Sequence, residues 1–303
     1  MKTTILHISV PQEFNFQRTI FSHGWCALPP FSTSEDRTTL TRIVRLMDGT
    51  IVKIDIRSPH RGELAVEALA TKILSKAQKS DLQAQIASCL RLNEDFDEFY
   101  RFVKTLPQFR WIAKAGAGRL LRAPTVFEDI VKMICTTNCS WALTEIMNVN
   151  LTEAFGQKFD GTAYTFPEPE TIAESTETFL RKHIRAGYRS PFILEFAKRV
   201  ADKTLDVESW RFEPLPTEEL FKRLRSIKGV GEYAAGNLLR LLGHYDRLGL
   251  DSWVRGKYYD LHHAGRRVGD PTIEKHYSSF GRWRGLVFWL EMTQHWFKDK
   301  FPF

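Results

Sequence analysis

One stretch of the chain, residues 220–255, constrains the fold more than any other, because two amphipathic segments flank a glycine turn and an aspartate follows them. Apolar residues of the first segment share one helical face, namely Leu220, Phe221, Leu224 and Ile227. The turn, residues 228–231, contains Gly229 and Gly231, and glycine tolerates positive φ and lets another backbone approach closely. The second segment has a narrow apolar face formed by Ala234, Ala235, Leu238, Leu239 and Leu242. This pattern predicts a helical hairpin over residues 217–243, with Asp251 beyond it.

The turn of this hairpin has the chemistry of a phosphate site. A glycine-rich turn that opens a helix presents unpaired N–H groups at the positive end of the helix dipole, where phosphate binds. Cations surround the turn, namely Lys222, Arg223, Arg225 and Lys228. We therefore predict phosphate contacts for the turn residues Lys228, Gly229, Val230 and Gly231. From the turn alone, a helical hairpin with a glycine cap and a solvated basic face is an equally good interpretation.

Composition places the chain among globular proteins with a polyanionic partner or surface. The 303 residues are 43% hydrophobic and carry a net charge of +7, with a pI of about 9.2. Four irregularly spaced cysteines and no secretory signal indicate reduced thiols. No apolar run approaches membrane-spanning length, so we expect a cytoplasmic, nucleoid-associated monomer with no membrane partner.

The motif GVGEYAAGNLL, which starts at Gly229, is followed by Asp251 and then by Ser-Trp-Val-Arg. This arrangement resembles the helix-hairpin-helix DNA glycosylase superfamily, in its 3-methyladenine and 8-oxoguanine branch. Residues 134–138 resemble the segment that precedes the base-flipping asparagine of 8-oxoguanine glycosylases, and residues 186–189 resemble their GYR junction. The resemblance spans residues 100–290 and implies a double-stranded DNA partner that contains a damaged base.

The cysteine spacing argues against a metal or other cofactor. Cys135 and Cys139 lie four residues apart, but neither a CxxC pair nor a histidine cluster completes a zinc site. Some members of the superfamily hold an iron–sulfur cluster with four C-terminal cysteines, whereas this chain has no cysteine after Cys139. We therefore expect the protein to work without a metal or other cofactor.

Hydrophobic periodicity predicts a sheet at the N-terminal end. Phe14, Phe16 and Ile20 alternate with polar residues, as do Val52, Ile54 and Ile56, and Asp48-Gly49 is a hairpin-turn signal. Residues 63–70 fit a strand or an amphipathic helix, and the resemblance favours a strand. We predict an α+β, mostly helical fold, with an antiparallel β-sheet subdomain at 1–88 and a helical glycosylase core at 89–303. The resemblance divides this core into a lobe at 122–244, which contains the hairpin, and a second lobe formed by 89–121 and 245–303.

Helical spacing over residues 94–104 predicts one helix of this core, and Pro124 opens another that runs to Asn148. Asn138 lies in that segment among small polar residues, where it either projects from a turn or caps a helix. In the resembling enzymes, an asparagine here fills the gap left by the flipped nucleotide, so Asn138 is the candidate duplex wedge. Trp141 is expected in the core.

Two residues within 220–255 suggest a glycosidase reaction. A fixed Asp251 carboxylate would stabilise the oxocarbenium-like charge on the sugar or orient water, and it also fits a helix N-cap. Tyr233 occupies the position at which bifunctional members have the lysine that forms a Schiff base. A phenol cannot form that imine, so the resemblance implies a monofunctional enzyme. Alkylpurine glycosylases of the superfamily stack an aromatic residue here on an electron-poor base.

The base pocket is harder to locate from sequence. Trp253 stands where relatives often have histidine, and Trp25 lies in an aromatic, proline-rich loop at residues 23–31 that is either a pocket wall or a rigid loop with a buried tryptophan. Core packing is predicted for a C-terminal aromatic stripe that includes Phe280, Trp283, Phe288, Trp289 and Trp296. Two alternative functions stay open: an 8-oxoguanine glycosylase, disfavoured by the missing lysine, and a non-catalytic DNA-binding hairpin, which has no use for Asp251.

Overall fold

The computed structural model describes residues 1–297 and 301–303, and its N-terminal part is an antiparallel sheet of five strands. The strands are β1 (Lys2–Ser9), β2 (Phe31–Thr33), β3 (Thr39–Arg45), β4 (Ile51–Arg57) and β5 (Glu63–Ala70), in the spatial order β1-β5-β4-β3-β2. The predicted strands at β4 and β5 are confirmed. The turn at Asp48-Gly49 joins β3 to β4, and Gly49 adopts a φ of 86°. Strand β1 is not predicted, because only two of its side chains, Thr4 and Leu6, are buried.

The predicted strand around residues 14–20 is wrong, because Phe16–Ile20 forms a short helix, α1. Asn15 caps this helix by accepting a hydrogen bond from the Arg18 N–H at 3.0 Å. Phe16 and Ile20 are four residues apart, so both are buried from one helical face. The helix cap at Asn15 therefore decides the local structure, although apolar and polar residues alternate with an apparent period of two.

The rest of the chain is mainly helical, which confirms the predicted fold class. A two-stranded ribbon, β6 (Lys158–Asp160) and β7 (Ala163–Tyr164), interrupts the helices. The helices are α2 (Lys76–Cys89), α3 (Asp97–Lys104), α4 (Arg110–Ala115), α5 (Val126–Thr136), α6 (Trp141–Phe155), α7 (Pro169–Ala173), α8 (Glu177–Lys182), α9 (Ser190–Ala201), α10 (Thr217–Arg225), α11 (Glu232–Leu242), α12 (Ser252–His263), α13 (Asp270–Tyr277) and α14 (Arg284–Thr293). The division of the chain at residue 88 and into two lobes stays a prediction.

The segment from Pro124 to Asn148 forms two helices, not one. Helix α5 ends at Thr136 and α6 begins at Trp141, and Asn138 lies between them with a φ of 47°. Ser140 is the N-cap of α6, since its side chain accepts a hydrogen bond from the Leu143 N–H at 3.3 Å. Asn138 is therefore an exposed turn residue, which is the first of the two interpretations, and not a helix cap.

The predicted hairpin is present as α10 and α11, joined by residues 226–231. Gly229 has a φ of 88°, and a Cβ there would lie 2.9 Å from the Phe192 ring. Gly231 has a φ of −80° with open space around it, so only Gly229 requires a residue without a side chain. Leu220, Leu224 and Ile227 are buried, as the spacing predicts.

Two buried arginines hold the C-terminal end of α11. Arg91 Nη1 donates to the carbonyl oxygens of Arg240 and Leu241 at 3.0 and 2.9 Å, and Arg122 Nη1 donates to the Leu241 oxygen at 3.0 Å. Glu94 pairs with both arginines, at 2.5 and 3.1 Å. Cations are favourable at the negative end of a helix dipole, so this cluster anchors the hairpin to the segment between α2 and α5. Within the described residues, no helix combines the length and the apolar character that crossing a membrane requires.

Candidate active site

A cavity of about 410 Å³ lies where α11 and α12 meet the loop before β2, the α5–α6 turn and the C-terminal residues. Four residues that sequence reasoning selected line this cavity together: Trp25, Tyr233, Asp251 and Trp253. Its surface is mostly apolar, with a few convergent polar groups, which is the usual character of a small-molecule site. Trp253 is 43% exposed at its edge.

The aromatic walls of the cavity are more extensive than the sequence pattern indicates. Trp141 and two members of the C-terminal stripe, Trp289 and Trp296, belong to or pack against the hydrophobic core, as predicted, and they also line the cavity. Trp141 packs on Phe303 with ring centroids 4.3 Å apart, and a Cβ on Gly24 would clash with the Trp141 ring. Helical spacing identifies a buried face, but it cannot tell whether that face meets other side chains or a cavity.

Trp25 is fixed in the cavity wall by a buried carboxyl group. It lies on a short 3₁₀ helix, Gly24–Ala27, and its Nε1 donates to Asp129 Oδ1 at 2.8 Å. The same oxygen accepts the Ala123 N–H at 2.9 Å, and Arg211 lies 3.5 Å from the other oxygen. Burial raises the pKa of Asp129 to about 6. The two interpretations of this loop are therefore compatible, because its buried tryptophan also forms a wall of the cavity.

Asp251 and Tyr233 lie close together in the lining of the cavity. Asp251 is the N-cap of α12, and its Oδ1 accepts the Val254 N–H at 2.7 Å. Tyr233 lies in the first turn of α11, with its phenol close to the Asp251 carboxylate. Burial raises the pKa of the Tyr233 phenol far above its ordinary value, and the charge of Asp251 raises this pKa further. The phenol therefore stays protonated near neutral pH and is available as a hydrogen-bond donor.

Two glycines bring Asp251 to α11. A Cβ on Gly236, in the middle of α11, would lie 2.9 Å from the Gly249 Cα and 3.1 Å from the Leu248 oxygen. The segment that leads to Asp251 therefore rests directly on the helix backbone. Sequence reasoning missed this contact, although a glycine among the buried apolar residues of a helix was the available signal.

Arg240 is a second site residue that sequence reasoning missed. Its side chain is 2% exposed, lines the cavity and stacks over the Trp289 ring, with 4.7 Å between Cζ and the ring centroid. The guanidinium donates to Asn237 Oδ1 and, at 3.4 Å, to the Gly285 oxygen. Burial lowers its pKa to about 10, so the group stays charged at neutral pH.

The other predicted residues lie on a neighbouring open groove. Asn138 and all four turn residues, 228–231, border it, together with Tyr188 and one side of Tyr233. Asn138 Nδ2 is 3.4 Å from the Tyr188 hydroxyl, and Tyr188 is 46% exposed. Lys228 forms an ion pair with Glu195 at 2.7 Å that the sequence did not suggest. An anion at the turn would compete with Glu195 for this lysine.

The residues 1–297 and 301–303 contain no group of three or more His, Cys, Asp or Glu side chains arranged to hold a metal ion. The cavity itself offers one carboxylate, Asp251, beside the hydroxyl groups of Thr136 and Thr144 and the sulfur of Cys139. Its polar groups are therefore suited to hydrogen bonding and to charge stabilisation.

No family model matches the sequence. A protein of Methanothermobacter thermautotrophicus named "Probable N-glycosylase/DNA lyase" is 25% identical over 284 residues, which is 86% of either chain. The solved structure of a 3-methyladenine DNA-glycosylase from Archaeoglobus fulgidus superposes with a TM-score of 0.76, at 22% identity, over 96% of this chain and 99% of that one. An 8-oxoguanine glycosylase/lyase from Clostridium acetobutylicum gives 0.73, at 17% identity, over 95% of each chain. These likenesses establish the fold and confirm the resemblance to the helix-hairpin-helix DNA glycosylases.

We predict opposite effects for alanine at two helical glycines. Gly236→Ala places a methyl group against the Gly249 backbone and is expected to lower the free energy of unfolding by about 1–3 kcal/mol. Gly256→Ala, on α12, meets no atom within 4 Å and should raise it by up to about 1 kcal/mol through helix propensity. Urea denaturation of both variants is the measurement. Equal shifts in the same direction would rule out the close contact.

Proposed function

We propose that this protein is a base-excision-repair DNA glycosylase, which hydrolyses the N-glycosidic bond of a damaged base in double-stranded DNA and leaves an abasic site. The observation that carries the proposal is the position of Asp251 close to Tyr233 in an aromatic cavity beside the glycine turn of the hairpin. The names of the proteins that share its sequence pattern and fold support it. A DNA-binding hairpin without catalysis would need neither the cavity nor its carboxylate.

Asp251 is the proposed catalytic residue. Departure of the base leaves positive charge on the sugar, and a carboxylate held in place stabilises that charge without having to reorganise. Its hydrogen bond from Val254 fixes the side chain at the start of α12. The same carboxylate can orient the water that attacks the sugar carbon. The Tyr233 phenol lies close to this carboxylate, and burial together with the charge of the carboxylate raises the pKa of the phenol.

Tyr233 makes the proposed reaction monofunctional. A Schiff base requires an amine in contact with the sugar, and no lysine of the described residues lines the cavity. Lys228 lies on the groove outside and is engaged with Glu195. Water is therefore the proposed nucleophile, in contrast to the lyase activity that the names of two of the similar proteins include.

The proposed substrate is a flipped-out purine, with an alkylated purine as the first candidate. A cavity of about 410 Å³ lined by Trp25, Tyr233, Trp253 and further aromatic rings offers stacking to a planar base. Unstacking the base costs a few kcal/mol, and Asn138, exposed at the groove, is proposed to fill the gap and offset part of it. The turn residues 228–231 would hold the phosphates.

The first test is base release from duplexes that contain alkylated adenine, 8-oxoguanine or uracil. We expect release of a purine lesion and strand breakage only after alkali treatment, because hydrolysis leaves an intact abasic strand. Borohydride should trap no covalent complex. A trapped complex that disappears in Lys228→Ala would show that Lys228 is a nucleophile and that the enzyme is bifunctional.

Asp251→Asn is expected to slow base release at least about 100-fold, the scale seen when one charge-stabilising group is removed. Asparagine caps a helix as well as aspartate does, so the free energy of unfolding should change little. Asp251→Ala should be equally inactive and about 1 kcal/mol less stable, because it also loses the cap. Asp260→Asn, on the exposed side of α12, is the control in single-turnover assays. Full excision by Asp251→Asn would refute the assignment.

Because Lys228 and Glu195 form an ion pair, we predict that removing the charge of one residue changes the DNA affinity in the opposite direction to removing the charge of the other. Lys228→Gln should weaken duplex binding and reduce the slope of log affinity against log salt by roughly one unit, because one phosphate contact is lost. Glu195→Gln should strengthen binding, since it releases the lysine for phosphate. Glu67→Gln, on β5, is a control of equal charge change. Weaker binding by Glu195→Gln would mean that the pair positions the turn instead.

A further inference from the structure

We infer that Arg240 selects the base by charge, so that the cavity takes a neutral purine with hydrogen-bond acceptors on its edge and disfavours a cationic one. This inference rests on the proposed function, because it concerns the base that enters the same cavity. It also specifies the charge of the base, which Tyr233 alone does not. A tyrosine face alone would favour an electron-poor or cationic base.

The environment of Arg240 leaves part of its guanidinium free for a ligand. An arginine has five N–H donors, and this one has two protein acceptors, Asn237 Oδ1 and the Gly285 oxygen. None of the carboxylates in the described part of the chain lies within ion-pair distance of it. The side chain is 2% exposed and lines the cavity. Its unused donors thus have few competitors in solvent, and a base in the cavity can accept from them.

The charges around the cavity decide which base is favoured. Asp251 and Arg240 both line the cavity, and the charge of Asp251 acts on the Arg240 guanidinium. A cationic base would be attracted by Asp251 and repelled by Arg240, and charge interactions are strong in such a buried site. A neutral base escapes this repulsion and gains a hydrogen bond to a charged donor.

The shape of the guanidinium also favours particular atoms. Arginine binds two adjacent acceptors with parallel hydrogen bonds, and the purine atoms O6 and N7 form such a pair. Hypoxanthine is neutral and offers both atoms. 7-Methylguanine carries a positive charge, and its methyl group blocks N7. Among alkylated purines, the same reasoning favours neutral ethenoadenine over the cation 3-methyladenine.

A purely structural role for Arg240 makes a different prediction. The residue links Asn237 on α11 to Gly285 on α14, so removing it could disturb the site as a whole. Such a disturbance would slow the release of every base by a similar factor. Selection by charge changes the ratio between two bases, and this ratio is the quantity to measure.

The experiment measures single-turnover release of hypoxanthine and of 7-methylguanine from otherwise identical duplexes, each divided by its rate of spontaneous loss. For the wild-type protein, we expect this enhancement to be at least tenfold greater for hypoxanthine. Arg240→Met, which retains much of the apolar stem, should reduce the ratio at least tenfold. Arg240→Lys keeps the charge and should still disfavour 7-methylguanine. Arg101→Met, exposed on α3, is the control and should leave the ratio unchanged.

The outcomes separate the two proposals. An unchanged ratio in a folded Arg240→Met, or a wild-type enhancement that is greater for 7-methylguanine, overturns the role of Arg240 and leaves the proposed glycosylase in place. Release of no base from any damaged duplex overturns the proposed function and this inference with it. If Arg240→Met does not fold, the wild-type ratio and Arg240→Lys decide the question.

Discussion

The contact between the backbones of Gly236 and Gly249 is the constraint on which the site depends. Helix α11 presents Tyr233 and Arg240 to the cavity, but the carboxylate comes from a different segment of the chain. Because residue 236 has no side chain, the segment that precedes Asp251 rests directly on the backbone of α11, and Asp251 lies close to Tyr233. The buried Arg91 and Arg122 hold the C-terminal end of the helix, so α11 is fixed both there and at Gly236.

Features with a local physical cause were predictable from the sequence. The hairpin, the φ of Gly229 and the cap at Asp251 follow from patterns within a few residues, and the alternation in β4 follows from a sheet with one buried face. The short helix α1 was mistaken for a strand because one capping side chain, Asn15, outweighs the pattern around it. Local signals of this kind need no knowledge of the rest of the fold.

The remainder of the site depends on contacts between distant segments. Trp289 and Trp296 fit a core stripe in sequence, and only the packing of the C-terminal helices on α11 and α12 shows that they border a cavity. Arg240 lies among leucines, so nothing in its surroundings in sequence marks it as a ligand-facing group. The ion pair of Lys228 joins residues 33 positions apart. A shared fold likewise leaves the substrate open, because similar structures include both 3-methyladenine and 8-oxoguanine enzymes.

The turn between α5 and α6 connects the proposed wedge to the cavity. Asn138 has a left-handed φ of 47°, which asparagine tolerates better than most residues, and it is exposed to the groove. Three residues later, Trp141 lines the cavity. Ser140, which caps α6, lies between them. In the proposed function, the residue that fills the gap in the duplex and a tryptophan that lines the base cavity therefore belong to one short segment, so the position of this turn relative to α11 affects both steps.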